Sequence, residues 1–262
     1  MDAFRKIVAV VTAIALAFTF VGLGFVACTL PPVTHALSSA FSRDDISPFD
    51  RNQLVKVADA TRDYSFGAHN ELALYRTVYE VDEEYAKALA DKGGIVPAEF
   101  PAMGAVRDGS DVSQYKAAFN GASEMYCYSQ QTISHLDDCY AIAAAAYPAL
   151  IAIGLIALAG LVFTHVTGSA RRTGVVLFGA GAGVVVVLAL LAVWASIDFN
   201  GLFTVFHQLF FAQQGNWTFP YDSLLICSLP EAFWMGMGVV WVVSSLVLSG
   251  LSAVIGGRLK SR

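Results

Sequence analysis

The sequence predicts an all-α membrane protein with four transmembrane helices, N-in/C-in, and a large, mainly helical extracytoplasmic domain between spans 1 and 2. Three observations predict it. First, 56% of the 262 residues are hydrophobic and 14% charged, and the mean hydropathy of +0.58 is too high for an ordinary soluble domain. Second, four runs carry no charge, 7–30, 139–166, 173–197 and 232–257; each meets the roughly 20 residues needed to cross a bilayer. Third, the basic residues bracket these runs on one side. Arg5 and Lys6 precede the first, Arg171 and Arg172 join the second to the third, and Arg258, Lys260 and Arg262 follow the fourth. Asp2 is the one acid among them, so these ends are expected in the cytoplasm. Alternation of period 2 does not recur often enough for a membrane barrel.

Span 1 is expected over 7–30. Its basic start resembles a signal peptide, and Phe25-Val26-Ala27-Cys28 resembles a lipoprotein cleavage box. However, the apolar run before Cys28 is about 21 residues, longer than the roughly 7–15 of a signal peptide. A retained anchor is therefore expected. Leu30-Pro31-Pro32 stops the span, because proline removes a donor and biases its predecessor out of the helix.

Residues 31–138 form the expected extracytoplasmic domain. Helical spacing of Leu54, Val55, Ala58 and Thr61 predicts a helix over 52–64, broken by Ser65-Phe66-Gly67. A longer helix follows over 70–90 and ends at Lys92-Gly93-Gly94. Glycine and proline make 95–111 a loop, and 111–122 is again helical. This domain holds most of the acids behind the net charge of -5, which argues against a nucleic-acid partner.

Span 2 is expected over 139–166, span 3 over 173–197 and span 4 over 231–257. Residues 198–230, between spans 3 and 4, are too short to cross and form an extracytoplasmic interfacial segment. Of the four cysteines, Cys127, Cys139 and Cys227 fall outside or at the outer boundary. A Cys127–Cys139 or Cys139–Cys227 disulfide is compatible with that compartment, but buried packing is the expected role.

Two histidines stand out because polar groups beside a bilayer are costly without a role. His135 lies in Ile133-Ser134-His135-Leu136-Asp137-Asp138-Cys139, at the expected start of the second helix. Ser134 and Asp137 fit a capping box there, and Asp137 or Asp138 could orient the imidazole. His207 lies in Phe206-His207-Gln208-Leu209-Phe210-Phe211. Read as a helix, Asn200, Thr204, His207 and Gln208 share one polar side, expected to face the bundle interior. Trp217 and Tyr221 suit interface anchors, and Asn216 and Asp222 could line a site. Ser228, Pro230 and Glu231 fit the capped start of the fourth helix. His69 sits in a turn without a flanking signal, and His165 falls at the cytoplasmic end. His35, His135 and His207 do not form an HxxxH or HExxH pair, so neither a metal nor another cofactor is expected.

Ser134-His135-Leu136-Asp137-Asp138 and Phe206-His207-Gln208-Leu209-Phe210-Phe211 are similar to the two histidine motifs of the bacterial lipoprotein intramolecular transacylase family. Trp217-Thr218-Phe219, Ser228-Leu229-Pro230-Glu231 and Arg62-Asp63-Tyr64 also resemble its pattern, so the likeness extends over nearly the whole chain. Cys139 and the acidic stretch from Asn70 to Asp111 depart from it. The resemblance implies a multi-pass protein of the cell membrane with its active face outside. It implies a diacylglyceryl lipoprotein and membrane lipid as partners. The sn-2 acyl chain would move to the α-amino group of the lipoprotein's N-terminal cysteine. His135 and His207 would be the catalytic pair. Tyr64, Asn216 and Gln208 are candidate oxyanion donors, with Asp137, Asp138 and Trp217 in support. Two other classes compete: a non-catalytic membrane receptor or assembly factor, and a metal-dependent membrane hydrolase.

Overall fold

The computed structural model describes residues 2–211 and 217–261, and among the described residues it contains ten helices and no strand. Four of them, α1 (Asp2–Cys28), α6 (Gln130–Thr167), α7 (Ala170–Ile197) and α10 (Glu231–Lys260), are long and apolar enough to cross a membrane. Val10, Ile151, Leu190 and Val247 on these helices are each more than half exposed. Such an apolar surface suits lipid as its surrounding.

The chain divides into two compact units. The first comprises Met1–Cys28, Ala144–Leu209 and Gly238–Arg262. Close helix contacts in it are made by small residues. A Cβ at Gly174 would lie 2.7 Å from the Gly256 carbonyl oxygen, and one at Gly181 would lie 2.8 Å from the Ala253 nitrogen. The backbones of α7 and α10 therefore meet with no room for a side chain between them, as small residues allow within membranes. Ser252 Oγ donates to the Leu177 carbonyl at 2.9 Å across the same contact. Trp241 Nε1 ties α10 to α1 by donating to the Val21 carbonyl at 3.0 Å. Pro148 lies inside α6. α8 (Phe199–Phe211) forms over the segment expected to be helical. It opens with Gly201 N–H donating to Asp198 Oδ1 at 2.8 Å.

The second unit comprises Thr29–Ala143 and Phe210–Met237. Its helices are α2 (Pro31–Phe41), α3 (Arg51–Phe66), α4 (Glu71–Asp91), α5 (Val112–Ala118) and α9 (Leu224–Ser228). The core gathers Phe49, Leu54, Val57, Leu74, Val78, Val81, Leu224 and Phe233, none more than 2% exposed. Sequence periodicity anticipated α3, α4 and α5 but not α2. The prolines that stop α1 also open α2, where their missing N–H groups are among those with no intrahelical partner. A capping box of Asp50 and Gln53 starts α3, and Asn70 caps α4 by accepting from Ala73 N–H. The 224–228 segment is tied in by backbone bonds, Arg43 N–H to the Cys227 carbonyl at 2.9 Å and Leu224 N–H to the Glu124 carbonyl at 2.8 Å. All four cysteines are free, and Cys127 and Cys227 are buried.

Two expected caps are corrected. α6 starts at Gln130, and its cap is Ser129, whose Oγ accepts from Thr132 N–H at 3.2 Å. Ser134 therefore lies inside the helix, because a better-placed serine precedes it by more than a turn. Ser228 does not cap α10. It closes α9 instead, with its hydroxyl donating to the Leu225 carbonyl at 3.1 Å.

Candidate functional site

The cap at Ser129 places His135 in the second turn of α6 rather than at its positive end. The helix dipole acts mainly within the first turn, so His135 lies beyond its strongest reach. His135 is only 8% exposed. Its ring centroid lies 4.9 Å from that of Phe211 and 5.6 Å from that of Phe219. The 217–219 strip is held there because Gln131 Nε2 donates to the Thr218 carbonyl at 3.0 Å. One turn on, Cys139 Sγ is 3.8 Å from His135 Nε2. Aromatic faces thus screen one histidine in an otherwise helical, polar turn.

Asp137 leaves α6 in a different direction, since two residues rotate a helix by about 200°. It accepts the Tyr64 hydroxyl at 2.5 Å, joining the end of α3 to the start of α6. Burial and the adjacent carboxylate push the Tyr64 phenol well above its ordinary range, so it stays a donor. Its proton is donated to Asp137 in this structure.

His69 joins this pair, a partner that sequence reasoning missed. Its Nε2 is 3.6 Å from Asp137 Oδ1, and its ring lies between those of Tyr64, at 4.3 Å, and Tyr140, at 3.8 Å. The signal available in sequence was faint: a lone histidine just before an N-cap asparagine.

On α8, His207 is 8% exposed, packed against Phe203 at a centroid distance of 4.0 Å. Its Nδ1 lies 2.8 Å from the Phe203 carbonyl oxygen, which can only accept. The proton is therefore on Nδ1, and Nε2 is the basic nitrogen. Burial lowers the pKa of His207, with the Phe203 bond opposing in part, so the neutral base is the form at pH 7. The expected polar stripe divides. His207 is buried, whereas Asn200 and Gln208 are exposed and Thr204 is half-buried. Gln208, about 100° around the helix from His207, does not share its packed side.

Asp138 and Trp217 are half-buried, and Glu231 is exposed in the first turn of α10. Asn216 lies outside the described residues. His35 pairs with Asp59 at 2.8 Å. Among the described residues, no three metal-ligating side chains converge.

Residues 112–234 match the family model of the lipoprotein intramolecular transacylase Lit. That segment includes both histidine motifs, Asp137, Tyr140 and Trp217, but not Tyr64 or His69. The search of curated proteins gives no match. The fold is similar to that of the membrane-integral lipoprotein intramolecular transacylase Lit from Bacillus cereus, at 14% identity and a TM-score of 0.66 over 100% of this chain and 98% of the other. A histidine-to-arginine variant of that Bacillus cereus protein aligns at 15% identity and a TM-score of 0.63, over 99% of this chain and 93% of the other. The chain is therefore a multi-pass membrane protein with the fold of those structures, and its residues 112–234 resemble the lipoprotein intramolecular transacylase Lit family.

Proposed function

We propose that the protein is a lipoprotein intramolecular transacylase. It moves the sn-2 acyl chain of a diacylglyceryl lipoprotein to the α-amino group of that lipoprotein's N-terminal cysteine. The observation that carries the reading is that one matched segment, 112–234, holds both buried histidines.

The reaction needs no protein nucleophile, because the substrate amine attacks the ester carbonyl itself. A C–N bond forms, the acyl C–O bond to glycerol breaks, and the products are an amide and a free sn-2 hydroxyl. One imidazole takes the proton lost by the amine, and the other gives a proton to the departing glycerol oxygen. His207, neutral with its basic Nε2, suits the first kind of role in its own site. The intramolecular geometry of the substrate supplies proximity. Asp137 and Tyr64 orient the helix turn carrying His135 rather than touch the acyl group. Phenylalanines around both histidines offer an apolar wall to acyl chains.

The site faces the outer leaflet of the cell membrane, with both termini in the cytoplasm, as the basic residues at 5–6, 171–172 and 258–262 favour. The test is mass spectrometry of a lipoprotein's N-terminal peptide, from a host without N-acylation that expresses this protein. Wild type is expected to yield the N-acyl lyso form. His135→Ala and His207→Ala are each expected to lower its formation by about 10²–10⁴-fold. Because the lipoprotein's amine lies outside the cytoplasm, product also checks the assigned face. An unchanged diacyl form with expressed wild type would reject the reading.

A further inference from the structure

Three features hold His69 in an unusual state. Its φ is +52°, in the left-handed region that non-glycine residues seldom occupy. Its Nδ1 lies 3.0 Å from the Tyr64 carbonyl, an acceptor, so Nδ1–H donates there, and Nε2 lies 3.6 Å from Asp137 Oδ1, an ion pair when the ring carries its second proton. Its ring is stacked on both faces, at 28° to Tyr64 and 8° to Tyr140. A turn that needed only positive φ is met by glycine or asparagine at lower cost. Unfavourable backbone persists where surroundings over-determine it, and here the surroundings are ring contacts to α6.

Those contacts have a direction. Asp137 and Tyr140 are three residues apart, hence neighbours on one face of α6. His69 takes the first at its edge and the second on its ring face. His135 leaves the same turn on another side, toward Phe211 and Phe219. A grip on the Asp137–Tyr140 face therefore fixes the rotation of the turn, and with it the aim of His135.

We propose that His69 is a positioning residue of the transacylase site, bracing through Asp137 and Tyr140 the turn of α6 that presents His135. The inference rests on the transacylase reading. Its loss misaims an imidazole without removing it, and small misplacements of a catalytic group cost about 10- to 100-fold in rate.

The experiment uses the full chain, purified in lipid nanodiscs, with a synthetic diacylglyceryl lipopeptide. Wild type, His69→Gly, His69→Asn, Asp137→Asn and the His69→Gly/Asp137→Asn double variant are compared for kcat, KM and thermal midpoint. Glycine relaxes φ and removes the ring. Asparagine keeps positive φ and a donor for the Tyr64 carbonyl. The expected result is a kcat about 10- to 100-fold lower in both His69 variants, with KM and midpoint nearly unchanged. The double variant should be no slower than the slower single one, because both substitutions cut one contact. Wild-type turnover in either folded His69 variant overturns the proposal, as does loss of folding in both, which would make the residue merely structural. Wild-type protein that makes no N-acyl product contradicts the transacylase reading instead.

Discussion

Asp82 lies on α4 with no exposed surface and no hydrogen-bond partner for either carboxylate oxygen. Burial pushes its pKa up to about 9 from 3.8. The folded protein thus holds a proton that the unfolded chain has released over that interval. Stability is expected to be greatest below the unfolded value and to fall as pH rises through the folded one, by at most about 1.4 kcal/mol per pH unit. Asp82→Asn should flatten this slope between roughly pH 5 and 9 while leaving the fold intact. Thermal melts of both proteins across that range check it; parallel slopes would show that Asp82 does not carry the effect. The contrast with the histidines is instructive at this scale. His135 and His207 stood out in the sequence because each lies beside an apolar run, where polar groups are costly. His69 did not, because its meaning comes from Tyr64, Asp137 and Tyr140, and the last two lie about 70 residues away in sequence. Asp82 sits at a helical position with acidic neighbours, Glu83 and Glu84, that look equally solvated in sequence.

Among the elements, the four long apolar helices were readable from composition, since lipid demands continuous apolar length and internally satisfied backbone. Their ends were less so. Ser129 and Ser134 both lie near the start of α6, and local pattern cannot choose between them as cap without the packing that follows. α2 was missed because Pro31-Pro32 reads as a stop, although it is equally a start. How α7 meets α10 was also not legible, because glycines are spread along α7 and only some face a neighbour. Gly181 faces the α10 backbone, while nothing lies within 4 Å of a Cβ at Gly183. Gly181→Ala should therefore lower stability by about 1–3 kcal/mol through overpacking, and Gly183→Ala should be neutral or slightly stabilising. Thermal unfolding in detergent separates them; equal midpoints would mean that the helices do not meet at Gly181.

For the molecule as a whole, charge and hydropathy predict which parts need lipid, while the fold match spans 100% of the chain and the family match only 112–234. The difference is physical. Four apolar helices tolerate wide substitution among Leu, Ile, Val and Ala, so the fold outlasts sequence likeness. Under the proposed function the histidine turns are expected to tolerate less, because acid and base chemistry depends on particular atoms. The proposed reaction requires that the amine and the acyl chain belong to the same molecule. Purified protein in lipid vesicles, given a lipopeptide with different acyl chains at sn-1 and sn-2 and an isotope label in half of the molecules, tests this most directly. The account predicts that the amide carries the sn-2 chain, with label never exchanged between molecules. An amide bearing the sn-1 chain or a vesicle lipid's chain, or release of free fatty acid alone, would contradict it.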